Sequence, residues 1–89
     1  IDGVYIGPSD LSLSLGCKPV LDDVDPPVAQ AIDHILARAK AHGIKAGVHN
    51  GRTDTARARL AKGVNFATVS SDARILIAGS QQILKEMRA

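Results

Sequence analysis

The chain has 89 residues, enough for one small domain at most, and its 11 Lys and Arg against nine Asp and Glu leave a scattered net charge of +2. With one Tyr, one Phe and no Trp, the basic, aromatic-interleaved surface of a nucleic-acid binder is excluded. A single cysteine, Cys17, excludes an internal disulfide and a cysteine-built zinc site and fits a reducing, cytoplasmic setting, and no apolar run is long enough to span a bilayer.

The first residue is Ile rather than Met, and a strand-like run follows almost at once, so the N-terminus reads as a cut end. Residues 3–6, "GVYI", form the first expected strand. "GPSD" follows as a turn, and "SDLSLSLG" as a short helix with Ser9 or Asp10 as N-cap and Gly16 at its end. Breaker residues mark 16–26 as a loop.

A longer helix is predicted over 27–42, with Val28, Ile32, Ile35, Leu36 and Ala39 on one apolar face and Gly43 just beyond. The strand "KAGVH" (45–49), the turn "NGR" and a helix over 53–62 ending at Gly63 come next. "NFATVS" (65–70) is the third strand. A last helix over 72–87 is expected to turn Ile75, Leu76, Ile83 and Leu84 inward.

"KAHGIKAGV" and "LAKGVNFATV" share one pattern: helix end, glycine in a left-handed cap, a β-branched residue, a polar residue, then strand. That repetition predicts βα units and a parallel sheet. Three parallel strands leave both edges open, so the chain is expected either to pair with other chains or to be a piece of a larger α/β fold.

In such folds chemistry collects where strands end and helices begin. "GPSD", "HNGR" and "SSD" occupy those three ends. At the first, helix-start amides of Ser9, Asp10 and Leu11 can bind a carboxylate or phosphate. Asp10 on the same turn would repel that anion unless a divalent cation joined them. A first-turn Asp is also what the helix dipole favours on its own. His49 ends the second strand as a candidate base, ligand or hydrogen-bond donor, or as a plain rim residue. Ser71 or Asp72 caps the last helix, with Asp72 assigned that role; Arg52 is read as a solvated loop residue, and His34 and His42 receive no role.

Taken together, "IDGVYIGPSDLSLSLG", "GIKAGVHN" and "LAKGVNFATVSSDARILIAGSQQIL" resemble the C-terminal part of the HpcH/HpaI aldolase family. These are class II, metal-dependent pyruvate aldolases for 2-keto-3-deoxy sugar acids and related dioic acids. The resemblance runs over essentially the whole chain, and "GPSDLS" is its most specific stretch. It implies that residues 1–89 are a C-terminal fragment of a single TIM (β/α)8 barrel domain, about three βα units. It further implies a cytoplasmic homo-oligomer, trimer or hexamer, whose last helix is exchanged between subunits.

The implied reaction is retro-aldol cleavage of a 4-hydroxy-2-oxo acid to pyruvate and an aldehyde, with Mg²⁺, Mn²⁺ or Co²⁺. Asp10 matches one of two acidic metal ligands; the other, a Glu on an earlier strand, has no counterpart in the 89 residues. Ser9 and Asp10 match the amides that hold the pyruvyl carboxylate, with Gly7 in the same substrate-binding turn. His49 and Ser71 match pocket positions that are often apolar in the family, which leaves the aldehyde open. The family's catalytic His and its substrate-binding Arg also lie upstream, so no catalytic residue is assigned within the chain. Two competing readings stand beside this one: a citrate lyase β-subunit or malyl-CoA type of lyase, and a non-catalytic half-barrel.

Overall fold

A computed structural model describes all 89 residues. The elements run β1 (Gly3–Ile6), α1 (Pro8–Ser14), α2 (Pro26–Ala41), β2 (Lys45–Asn50), α3 (Thr53–Ala61), β3 (Phe66–Val69) and α4 (Asp72–Arg88). The three strands form one parallel sheet, as the repeated helix–glycine–strand pattern predicts, and the structure puts them in the order β1-β2-β3. The fold is thus α/β, with parallel strands and flanking helices.

The repeat works through one recurring helix end. After α2, Gly43 at φ 66° donates to the Lys40 carbonyl while Ile44 donates to the Ala39 carbonyl at 2.9 Å. After α3, Gly63 at φ 106° and Val64 make the same pair of bonds to Leu60 and Arg59. Both are Schellman ends, and each releases a β-branched residue toward the next strand.

Strand alternation gives the sheet two different faces. On one, Ile6 and Val48 meet Val28 and Ile32 of α2, and Val64 completes the cluster; all five are buried. Burying each such side chain stabilises the fold by about 1.5–3 kcal/mol, so this cluster is what holds the helices to the sheet. The amphipathic face of α2 is as expected: Val28, Ile32 and Ala39 are buried, and Ile35 and Leu36 pack at the cluster's edge.

No helix covers the other face. Tyr5 and Phe66 stack there with ring centroids 5.9 Å apart and planes 9° from parallel. They meet across Gly47, the β2 residue in register with both. A Cβ on Gly47 would lie 2.1 Å from Phe66 ring carbons, so only glycine admits this stack.

Three local expectations need correction. The first helix is capped by Gly7 with Pro8 at its first position, not by Ser9 or Asp10, because the fixed φ of proline is already helical. Ser71 rather than Asp72 caps α4, its hydroxyl accepting from the Arg74 amide at 3.2 Å. The apolar residues of α4 do not turn inward: Ile75, Leu76, Ile83 and Leu84 are 50–71% exposed and no residue of α4 is buried. The helical period is there, but no surface of these 89 residues meets it. No helix is long and apolar enough to cross a membrane.

These packing differences predict a steep gradient in hydrogen exchange. In the 89-residue chain at low micromolar concentration, the amides of Ala46–Val48 should exchange slowest and those of α4 close to the unprotected rate. Equal protection of β2 and α4 by mass-resolved exchange would contradict the exposed placement of α4.

Candidate functional site

The parallel register brings the three strand ends to one edge of the sheet. Ile6 lies opposite Val48, and His49 opposite Thr68, so the segments after β1, β2 and β3 emerge side by side. Gly7, Ser9 and Asp10 stand at the first end, His49 at the second and Ser71 at the third. No hydrogen bond or ion pair joins Asp10, His49 and Ser71 to one another.

At the first end, the Leu11 amide donates to the Gly7 carbonyl at 2.9 Å as the opening bond of α1. Leu11 is therefore not available to an anion, contrary to expectation. Pro8 has no N–H, which leaves the Ser9 and Asp10 amides free. Asp10 is exposed and makes no ion pair or hydrogen bond. Its Oδ2 sits 3.1 Å from the point where a Gly7 side chain would begin, so the glycine leaves room for the carboxylate over the strand end. A carboxylate with both oxygens unengaged suits a hard cation. It is a single donor, however, and no group of three or more His, Cys, Asp or Glu side chains is placed to hold a metal ion.

The second end is the most heavily braced. On the helix-covered side, the fully buried Asn50 donates from Nδ2 to the Val48 carbonyl at 3.0 Å and to the Thr68 carbonyl at 3.1 Å. Its Oδ1 accepts from Arg59 at 2.8 Å, and the same guanidinium reaches the His49 carbonyl at 3.3 Å. Burial pushes the Arg59 guanidinium down, and Asp22 counteracts this by attraction. The sequence presents Asn50 as a turn residue beside Gly51; tertiary packing makes it the last strand residue and the brace between β2 and β3.

On the open side, His49 shares a hydrogen bond of 2.7 Å between Nδ1 and the Thr68 hydroxyl, which is also bonded to the Tyr5 hydroxyl. These three residues, one per strand, form a polar row beside the Tyr5–Phe66 stack.

Asp22, in the α1–α2 loop, is a residue that sequence reasoning passes over. It is 9% exposed, and its Oδ1 accepts from the amides of Gly51 and Arg52, both at 3.1 Å. It thus does for the start of α3 what an N-cap side chain does, from 30 positions away in the case of Arg52. Burial alone would raise its carboxyl. The hydrogen bonds from Thr55, Arg52 and Gly51 outweigh burial and hold it below the usual carboxylate range. Arg52 is not merely solvated: it grips Asp23 through two bonds at 2.8 and 3.1 Å and Asp54 at 3.0 Å. With Ser9 and Arg74, Asp22 and Arg52 line a cleft of about 370 Å³ at this edge.

At the third end, Ser70 adopts a left-handed φ of 64°, which costs a non-glycine residue on the order of 1 kcal/mol. Its amide donates to the Asn50 carbonyl at 2.8 Å, which holds the bend. Ser71 follows, its hydroxyl already engaged as the α4 cap.

A larger cleft, about 550 Å³, lies at the opposite end of the sheet, among residues that include Asp33, Lys40, Lys45 and Lys62. It contains none of the candidate residues. Size alone therefore does not locate the site; the convergence of strand ends does.

Comparison with known proteins gives the chain's relatives. No family model matches the chain. It is 42% identical over 89 residues to a hydroxypyruvate/pyruvate aldolase of Rhizorhabdus wittichii, covering 100% of the chain and 36% of that protein. It is 40% identical over 83 residues to a 5-keto-4-deoxy-D-glucarate aldolase of Salmonella arizonae, covering 93% of the chain and 32% of that protein. The crystal structure of an HpcH/HpaI aldolase/citrate lyase family protein from Burkholderia cenocepacia superposes with a TM-score of 0.89 and 34% identity. That match covers 100% of the chain and 34% of that structure. The chain is thus similar, over its whole length, to part of an HpcH/HpaI aldolase/citrate lyase family protein. It spans about a third of the length of the relatives it matches. The three βα units seen here thus coincide with a contiguous portion of the fold of an HpcH/HpaI protein.

The bracing by Asp22 makes a pH-dependent prediction. Its carboxyl is lower when folded than unfolded, so its contribution is fully present above the ordinary carboxylate value and is lost as pH falls through the folded value. Asp22→Asn should lower stability at pH 7 by about 1–2 kcal/mol, as loss of a capping carboxylate does. It should cost less at pH 3, below the ordinary carboxylate value, than at pH 7, and denaturant unfolding at the two pH values measures both. An equal cost at both would show that the charge of Asp22 plays no part.

Proposed function

We propose that the chain contributes one part of the active site of a carbon–carbon lyase. The reaction is the metal-dependent retro-aldol cleavage of a 4-hydroxy-2-oxo acid, such as a 2-keto-3-deoxy acid, to pyruvate and an aldehyde. Residues 1–89 act as a section of a single larger barrel domain. The observation that carries this reading is Asp10: an unpaired carboxylate beside two free helix-start amides, at the strand edge, in a family whose relatives are aldolases.

In this reading Asp10 provides one anionic ligand to a divalent cation, Mg²⁺, Mn²⁺ or Co²⁺. When bound, the cation supplies positive charge where negative charge develops on the 2-oxo group. The Ser9 and Asp10 amides receive the carboxylate of the pyruvyl half, with Gly7 giving the backbone its close approach. His49 and Ser71 face the aldehyde half. The proton of the 4-hydroxyl must leave as the C3–C4 bond breaks, and the base that takes it is supplied by other parts of the barrel. Completion of the barrel covers the Tyr5–Phe66 face and both sheet edges, and an oligomer covers the apolar side of α4 by exchange of that helix.

The 89-residue chain alone should therefore release no pyruvate. In a complete barrel carrying this stretch, Asp10→Asn should lower metal-stimulated pyruvate release by about 10²–10³-fold, in line with removal of a group that stabilises developing charge. A coupled pyruvate assay with Mg²⁺, Mn²⁺ and Co²⁺, with and without a chelator, measures this, and circular dichroism checks that the fold survives. Full activity of the variant, or activity indifferent to the chelator, would overturn the ligand role of Asp10.

A further inference from the structure

The three-strand row of Tyr5, Thr68 and His49 has a chemical direction. Thr68 has one hydroxyl proton and two polar neighbours, His49 Nδ1 at 2.7 Å and the Tyr5 hydroxyl. Imidazole nitrogen is a better acceptor than a phenol oxygen, and a phenol is a better donor than an aliphatic alcohol. The matched arrangement therefore has Tyr5 donating to Thr68 and Thr68 donating to Nδ1. With Nδ1 occupied as an acceptor, the proton of neutral His49 sits on Nε2, which has no partner in the chain.

Each member of the row is held independently. The Tyr5 ring is fixed by its stack on Phe66 over Gly47. Thr68 and His49 are register partners, and on the reverse side Asn50 and Arg59 tie down the Thr68 and His49 carbonyls. The imidazole is also the only ring nitrogen donor near the converging strand ends, since His34 and His42 lie on or after α2.

We propose that Tyr5 and Thr68 are positioning residues that fix His49 as an Nε2–H donor to an oxygen on the aldehyde half of the substrate. The site then selects 4-hydroxy-2-oxo acids that carry a further hydroxyl or carboxylate oxygen beyond C4 over those with a plain alkyl group there. This rests on the aldolase reading and adds to it the class of aldehyde and the device that recognises it. A site built to hydrogen-bond a substrate oxygen rejects analogues that lack it more strongly than an apolar pocket rejects extra polarity.

The test compares two 4-hydroxy-2-oxo acids of equal chain length, one with a further hydroxyl beyond C4 and one with plain alkyl carbon there, in a complete barrel carrying this stretch. Thr68→Val should lower kcat/KM for the hydroxylated substrate about tenfold and leave the alkyl substrate within about twofold. His49→Leu should abolish the preference, and His49→Gln, which keeps a side-chain donor, should restore part of it. In parallel, ¹⁵N NMR of His49 should show the Nε2–H tautomer in the unaltered protein and a mixture in Thr68→Val and Tyr5→Phe. Absence of pyruvate from either substrate with the unaltered protein would overturn the aldolase reading itself. Pyruvate release with an unchanged preference in Thr68→Val, or an equal fall for both substrates, would overturn only the assignment to His49.

Discussion

The C-terminal edge of the sheet depends on the buried side-chain amide of Asn50. Its Nδ2 spans β2 and β3 by bonding carbonyls on each, and its Oδ1 receives the one guanidinium that the fold takes out of water. Such a group is stable inside only while its partners persist, because an orphaned buried charge costs far more than a hydrogen bond returns. The Asn50 carbonyl also holds the strained Ser70. One residue thus fixes the end of β2, the exit of β3 and, through both, the facing pair His49 and Thr68.

The division of the sheet into two faces explains where chemistry can occur. Aliphatic residues of alternate positions bind the helices on one side. Polar and aromatic residues of the other positions stay uncovered, with the polar ones toward the strand ends. The proposed barrel would turn this second face inward and so cover two aromatic rings and a histidine that make a poor surface for a small domain.

The same contrast accounts for α4. Its first turn is anchored by Ser71, and its remaining apolar residues meet nothing in the 89 residues. A strong helical period in the sequence shows that a face is to be buried, not which surface buries it. The inward placement expected for Ile75, Leu76, Ile83 and Leu84 fails for that reason. The expected sheet, by contrast, is found, because glycine, β-branched residue and strand follow one another within a few positions of the chain.

Local rules were sufficient for the element types, the Schellman ends, the parallel sheet and the gathering of Asp10, His49 and Ser71 at one edge. Each of these is set by neighbours in sequence or by the single handedness of βα crossovers. Only tertiary structure revealed Asp22 as the cap of a distant helix, Asn50 and Arg59 as a buried brace, and Thr68 with Tyr5 as the partners of His49. These contacts join residues 9 to 63 positions apart, on elements whose relative placement depends on packing, so no short pattern announces them.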